Sequence, residues 1–230
     1  MSRPGKRVVT SRLLSSFGPH SVAAEAYRLL RTNLRFASVD APLRAVAVTS
    51  ALADEGKSLT AANLAICMAQ AGVRTLLVDA DLRKPGQHIQ FMVQDAKGLT
   101  TALVGLQTVE EVILKSQIEN LWFLMAGDKP PNPTELLQSA SMQRLHSSLV
   151  SLFDFIVYDC PPVLPAVEAI DLGNLAGGAV VVVRADTTPK DAVKQAVEQL
   201  RGGHVPLLGM ILNDVKASHG YGYYAYAYGD

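Results

Sequence analysis

The chain of 230 residues lacks a net charge: 21 lysines and arginines face 21 aspartates and glutamates. Binding a nucleic-acid backbone needs a basic excess or a basic stripe, so this balance argues against a nucleic-acid partner. Cysteine is nearly missing as well. Cys67 and Cys160 each sit inside a strongly apolar segment, outside any CxxC or Cys/His cluster. A zinc site has no support, and two reduced, buried thiols are expected. No apolar run reaches the roughly 18 residues that a membrane span requires. The basic start, MSRPGKRVVTSRLL, has no apolar core of about 7–15 residues behind it, so it does not read as a secretory signal. These absences point to a cytoplasmic protein. Apolar residues make up 49% of the chain, enough for one globular α/β domain and short for two.

Helical and strand patterns alternate along the chain. Residues 1–19, with Pro, Gly, Ser and four basic side chains, read as a flexible arm. Ser21 to Phe36 has helical spacing with Ser21 as N-cap. AVAVTS (45–50) reads as a strand and Lys57 to Ala71 as a helix that Gly72 can end. Apolar runs then recur at RTLLVDADLR, NLWFLMAG (120–127), FDFIVYDCPP (153–162), GAVVVVRAD (178–186) and VPLLGMILNDV (205–215). Helical patterns fall between them at 139–152, 165–175 and 190–201. Near-continuous apolar strands alternating with helices predict a doubly wound, mostly parallel sheet flanked by helices, over residues 20–216. Residues 217–230 form a separate tyrosine-rich tail.

The chemistry concentrates where strands end. The loop Ala53-Asp54-Glu55-Gly56-Lys57-Ser58-Leu59 follows a strand and opens a helix. Backbone N–H groups at such a helix start, with the helix dipole, favour phosphate. Lys57 reaches the outer phosphates and Ser58 offers a hydroxyl to Mg2+. The match to G-x4-G-K-[ST] is incomplete, since Ala51 replaces the first glycine, and Asp54 would repel a triphosphate unless it points away. A chance GKS at a helix start is the competing reading. Two further strands end in carboxylates, at Asp79 with Asp81, and at Asp159. In a parallel sheet these ends share one edge, where ligands bind. One such aspartate alone reads as a helix cap or a turn; three, downstream of GKS, read as a site. Ser58, Asp81 and Asp159 suit Mg2+. The i, i+2 spacing lets Asp79 and Asp81 both face the site, with Asp79 as the base for an incoming hydroxyl.

Together these motifs resemble the bacterial tyrosine kinases, or BY-kinases, of capsule and exopolysaccharide synthesis, from about Ser21 to the C-terminus. The loop at 50–59 is similar to their Walker A, LLVDADLRKP (with Arg83-Lys84-Pro85) to Walker A′, and FDFIVYDCPPV to Walker B. AGDKPPNPTELL (126–137) is similar to a signature segment of that family. Ala53-Asp54 stands in place of the usual Pro-Gly, and Glu168 where aspartate is more usual. The resemblance implies an ATP- and Mg2+-dependent autokinase acting on tyrosines of neighbouring copies in a ring. It also implies activation by a membrane adaptor that recruits the kinase to the inner face of the membrane, exogenous protein substrates, and a two-chain arrangement here.

Two further features join that reading. Five of seven tyrosines, Tyr221, Tyr223, Tyr224, Tyr226 and Tyr228, lie in the last ten residues with no core to fill. They are the expected phosphoacceptors, although a sticky aromatic tail is the plain alternative. Glu25, Arg28 and Arg31 share a helix face. By themselves they mean a solvated stripe, but they match the family's E-x2-R-x2-R motif, which the resemblance assigns to subunit contacts across residues 20–37. Analogy with related ATPases makes Asn213 an adenine contact. The runner-up function is a MinD/ParA-type ATPase switch without kinase activity, and an inactive nucleotide-binding scaffold is a third.

Overall fold

The structure is a computed structural model and describes residues 13–18, 20–37, 42–93 and 97–216. The tyrosine tail and most of the N-terminal arm therefore lie outside the described residues. Seven strands are present among those described: β1 (Ala45–Ser50), β2 (Thr75–Asp79), β3 (Leu114–Lys115), β4 (Leu121–Leu124), β5 (Phe155–Asp159), β6 (Ala179–Arg184) and β7 (Leu207–Asn213). The helices are α1 (Val22–Phe36), α2 (Lys57–Gln70), α3 (Gln87–Phe91), α4 (Leu99–Leu103), α5 (Val109–Val112), α6 (Pro133–Leu137), α7 (Ala140–Leu152), α8 (Glu168–Ala176) and α9 (Lys190–Gly202). The strands form one sheet in the order β3-β4-β2-β5-β1-β6-β7. All pairings are parallel except that of the two-residue edge strand β3.

The apolar runs look continuous because alternate residues feed two cores. Val46, Val48, Leu77, Val157, Val180 and Val182 face one core, which α2 fills with Ala61, Leu64, Ala65 and Met68. Ala47, Leu76, Val78, Ile156, Tyr158 and Val181 face the other, closed by Met142 and Leu149 of α7, Leu172 of α8 and Leu200 of α9. At about 25 cal/mol per Å² of buried apolar area, these two faces supply the main favourable term for the fold. Helix α1 lies outside α2, with the Ser21 hydroxyl accepting from Ala24 N at 3.2 Å as the N-cap predicted. No described helix is long and apolar enough to cross a membrane.

Main-chain crossings fix the segments between β2 and β5. Leu99 N and Thr100 N donate to Met125 O and Ala126 O at 2.7 and 3.0 Å. That crossing needs glycine at 98, because a Cβ there would lie 2.1 Å from Met125 O. It anchors the start of the 126–137 segment beside the edge where β2 and β5 end. The helix expected from Pro165 begins only at Glu168, since prolines and a turn occupy the residues before it.

Candidate active site

The loop after β1 turns into α2 through two residues with positive φ, Asp54 (63°) and Gly56 (89°). Aspartate is one of the few side chains that tolerate this region, which explains how it stands where a glycine is common. Its side chain is exposed. A Cβ on Gly56 would also displace the Asn213 amide, whose Nδ2 would lie 2.0 Å away. Asn213, at the end of β7, donates to Glu55 O at 3.0 Å and so latches the loop to the sheet. Glu55 is buried and braces the loop from within, accepting from Leu52 N at 2.9 Å and from the Thr188 hydroxyl. Ala53 and Leu59 flank this turn, and the first N–H groups of α2, from Lys57 onward, have no intrahelical partner by construction.

Lys57 points from α2 into the strand ends. Its ammonium lies 2.8 Å from Asp81 Oδ2, 3.2 Å from Asp159 Oδ1 and 3.3 Å from Ser58 Oγ. Burial works against its charge, but Asp159 and Asp81 outweigh that cost and raise its proton affinity. Asp81 also accepts from Lys84 N at 3.0 Å. Asp79, the last residue of β2, addresses other partners, on the segment that follows the bend at residues 82–84. Its Oδ2 accepts from Gly86 N and Gln87 N at 3.0 and 2.9 Å, while its Oδ1 is buried without a protein partner. Asp79 and Asp159 are register partners across β2 and β5, and both are fully buried. Burial first, then the charge of Asp159, pushes the Asp79 carboxyl up to about 8.

Among the described residues, no three His, Cys, Asp or Glu side chains are arranged to hold a metal ion by themselves. Mg2+ takes one or two carboxylates and completes its octahedron with water and phosphate. Ser58, Asp81 and Asp159 are all oxygen donors gathered on one cation, the Lys57 ammonium, so the set is compatible with a second cation shared with phosphate.

Two further groups stand at this edge, and of these only Glu168 was singled out beforehand, by its place after the Walker B-like segment. Gln87 is fully buried and donates from Nε2 to Ser58 O and to Asp159 Oδ2, both at 2.8 Å. Glu168 Oε1 collects Arg83 Nε (2.9 Å), Arg83 Nη2 (2.8 Å) and Thr134 Oγ1 (2.7 Å). Burial works to raise the Glu168 carboxyl, yet Thr134, its own backbone and Arg83 together hold it below the usual range. The cluster ties the 126–137 segment to the loop after β2 and to α8. Only motif resemblance marked these residues beforehand, since no local period signals them.

The residues expected at subunit contacts lie on α1, which packs against α2. Arg28 pairs with Glu25 on the exposed face of α1, and Arg31 donates to Cys67 O of α2 at 3.3 Å. Tyr27 accepts from Asn63 Nδ2 at 3.3 Å and Tyr158 is fully buried, so both are packed.

Residues 44–201 match the family model described as an AAA domain. The tyrosine-protein kinase YwqD of Bacillus subtilis (strain 168) is 43% identical over 208 residues, covering 90% of this chain and 88% of that protein. The crystal structure of the chimerical protein CapA2B2 superposes with a TM-score of 0.84 at 36% identity, over 87% of this chain and 88% of that one. The septum site-determining protein MinD of Pyrococcus horikoshii OT3, complexed with Mg-ADP, superposes with a TM-score of 0.63 at 25% identity, over 74% and 69%. The match to a kinase thus spans nearly the whole of both proteins and is deeper than the match to a positioning ATPase, and on that ground the chain belongs to the bacterial tyrosine-protein kinase family.

Proposed function

We propose that this chain transfers the γ-phosphate of ATP to protein tyrosines, including Tyr221, Tyr223, Tyr224, Tyr226 and Tyr228 of a neighbouring copy, and so regulates capsule or exopolysaccharide synthesis. The observation that carries the reading is Lys57 held between Asp81 and Asp159 with Asp79 beside them. The loop N–H groups of residues 53–59 bind the phosphates, Lys57 offsets their charge, and Asn213 meets the adenine. Ser58, Asp81 and Asp159 hold Mg2+, which when bound neutralises charge on the transferring phosphate. Asp79 takes the phenolic proton as the tyrosine oxygen bonds to the γ-phosphorus and the bond to the β-phosphate oxygen breaks, releasing ADP. A base titrating near 8 is matched to work around neutral pH.

Subunits assemble in a ring through α1, where Glu25, Arg28 and Arg31 make the contacts. Exposed Val22, Leu29 and Phe36 recur every seven residues on that helix and give the contact an apolar line. A membrane adaptor recruits the kinase to the inner face of the membrane and activates it, and other proteins serve as further substrates.

The test is incubation with ATP and Mg2+, with and without an adaptor peptide, and location of phosphate by mass spectrometry. Phosphotyrosine in the tail, cut by about 10²-fold or more in Lys57→Met, is expected. Hydrolysis of ATP without any phosphotyrosine would instead favour a MinD-like switch, the reading to which the fold likeness to MinD lends weight.

A further inference from the structure

We propose that Gln87 is a positioning residue of the Mg2+ shell: its amide clamps Asp159 to the first turn of α2, and its free oxygen is the acceptor for a metal-bound water. This inference rests on the reading that Ser58, Asp81 and Asp159 hold the ion.

Gln87 connects three parts of the site at once. Its backbone N–H caps Asp79 Oδ2 at 2.9 Å, while its side-chain nitrogen reaches Ser58 O and Asp159 Oδ2 at 2.8 Å each. The preceding Gly86 lies beside the Ser58 hydroxyl, since a Cβ there would come within 3.6 Å of Ser58 Oγ. The amide can face only one way. Ser58 O and Asp159 Oδ2 are both acceptors, so the NH2 end must meet them and the oxygen must point elsewhere. That oxygen, Oε1, is buried and has no protein donor. A water on Mg2+ supplies the donor chemistry it lacks. With Oδ2 of Asp159 fixed by the amide, Oδ1 is left to face the cation position that Lys57 touches.

Plain packing is the competing account, because a buried glutamine needs partners wherever it sits. Apolar replacement would then lower stability without touching the ion. The two accounts separate in a binding measurement that needs no turnover. A fluorescent ADP analogue is titrated onto the full chain in EDTA and then across a Mg2+ series, for the parent and for Gln87→Met, which keeps the length and removes both polar ends. Gln87→Met is expected to weaken Mg2+ affinity in the ADP complex by roughly 10–100-fold, with affinity in EDTA unchanged within about twofold. In the parent, the Gln87 side-chain amide resonances are expected to shift when Mg2+ joins the ADP complex, an arm that stands even if the variant does not fold. Unchanged Mg2+ affinity in a folded Gln87→Met overturns the proposal, as do amide resonances that ignore the ion. A parent whose ADP affinity is indifferent to Mg2+ sinks the metal-shell reading and this inference with it.

Discussion

Asp79 and Asp159 have the same side chain, the same burial and adjacent places in the sheet, yet their partners divide them. Asp159 has a lysine at one oxygen and an amide at the other, whereas Asp79 has two backbone N–H groups at one oxygen and nothing at its second. The native state therefore retains a proton on Asp79 that the unfolded chain releases at the ordinary value of 3.8. Between about pH 4 and pH 8 the native state binds more protons than the unfolded one, so stability contributed by this group declines as pH rises and levels off above about 8. Asp79→Asn should flatten that decline in metal-free, nucleotide-free protein, with its largest gain in melting temperature at pH 8 and above. It should also abolish phosphotransfer. Thermal unfolding in EDTA across pH checks the first part, and an unaltered slope would mean that Asp79 is already ionised in the fold. In the parent, kcat should climb with pH toward about 8 as the base form accumulates.

At the scale of elements, the segment 126–137 owes its place to a backbone crossing rather than to its own helix, which is only Pro133–Leu137. Gly98 and Gly127 let two main chains meet: a Cβ on Gly98 would lie 2.1 Å from Met125 O, and one on Gly127 would lie 2.9 Å from Gly98 N. Neither neighbour is a flexible side-chain end, so the clash cannot be relieved by a rotamer change. Gly98→Ala should destabilise the fold by about 1–3 kcal/mol in urea unfolding. It should also disturb the Thr134 bond to Glu168, which hangs from the same segment. Gly105→Ala is not an equivalent control, despite open space around it, because its φ of 75° strains any Cβ. Gly202→Ala, in α9 with nothing within 4 Å, is the fitting one and should change stability by less than about 1 kcal/mol.

For the whole molecule, the proposed ring depends on a helix that lies outside α2 and exposes Val22, Leu29 and Phe36. Of the two arginines assigned to the contact, Arg28 is the cleaner probe, because Arg31 also bonds Cys67 O within its own subunit. Arg28→Glu places two acids three residues apart, which costs the helix only a few tenths of a kcal/mol. The variant should keep its circular dichroism and shift by light scattering from the assembled mass toward a monomer. An unchanged mass beside an assembled parent would move the interface elsewhere.

The layered α/β architecture, the loop at 53–59 and the carboxylates at two strand ends were legible from the sequence because each is a local pattern. A run of apolar residues alternating with helical periods specifies strands and helices whatever their partners, and GKS at a helix start brings its own N–H groups. The short elements between Gln87 and Lys115 carried too few residues to show a period. The hydrogen-bond partners of the acids were not legible. Asp159 meets Gln87 across 72 residues of sequence, Lys57 across 102, and Arg83 meets Glu168 across 85. Those meetings follow from strand order and register, which place Asp79 level with Asp159. A side chain's proton affinity and orientation are set by neighbours within a few ångströms, and only tertiary packing chooses them.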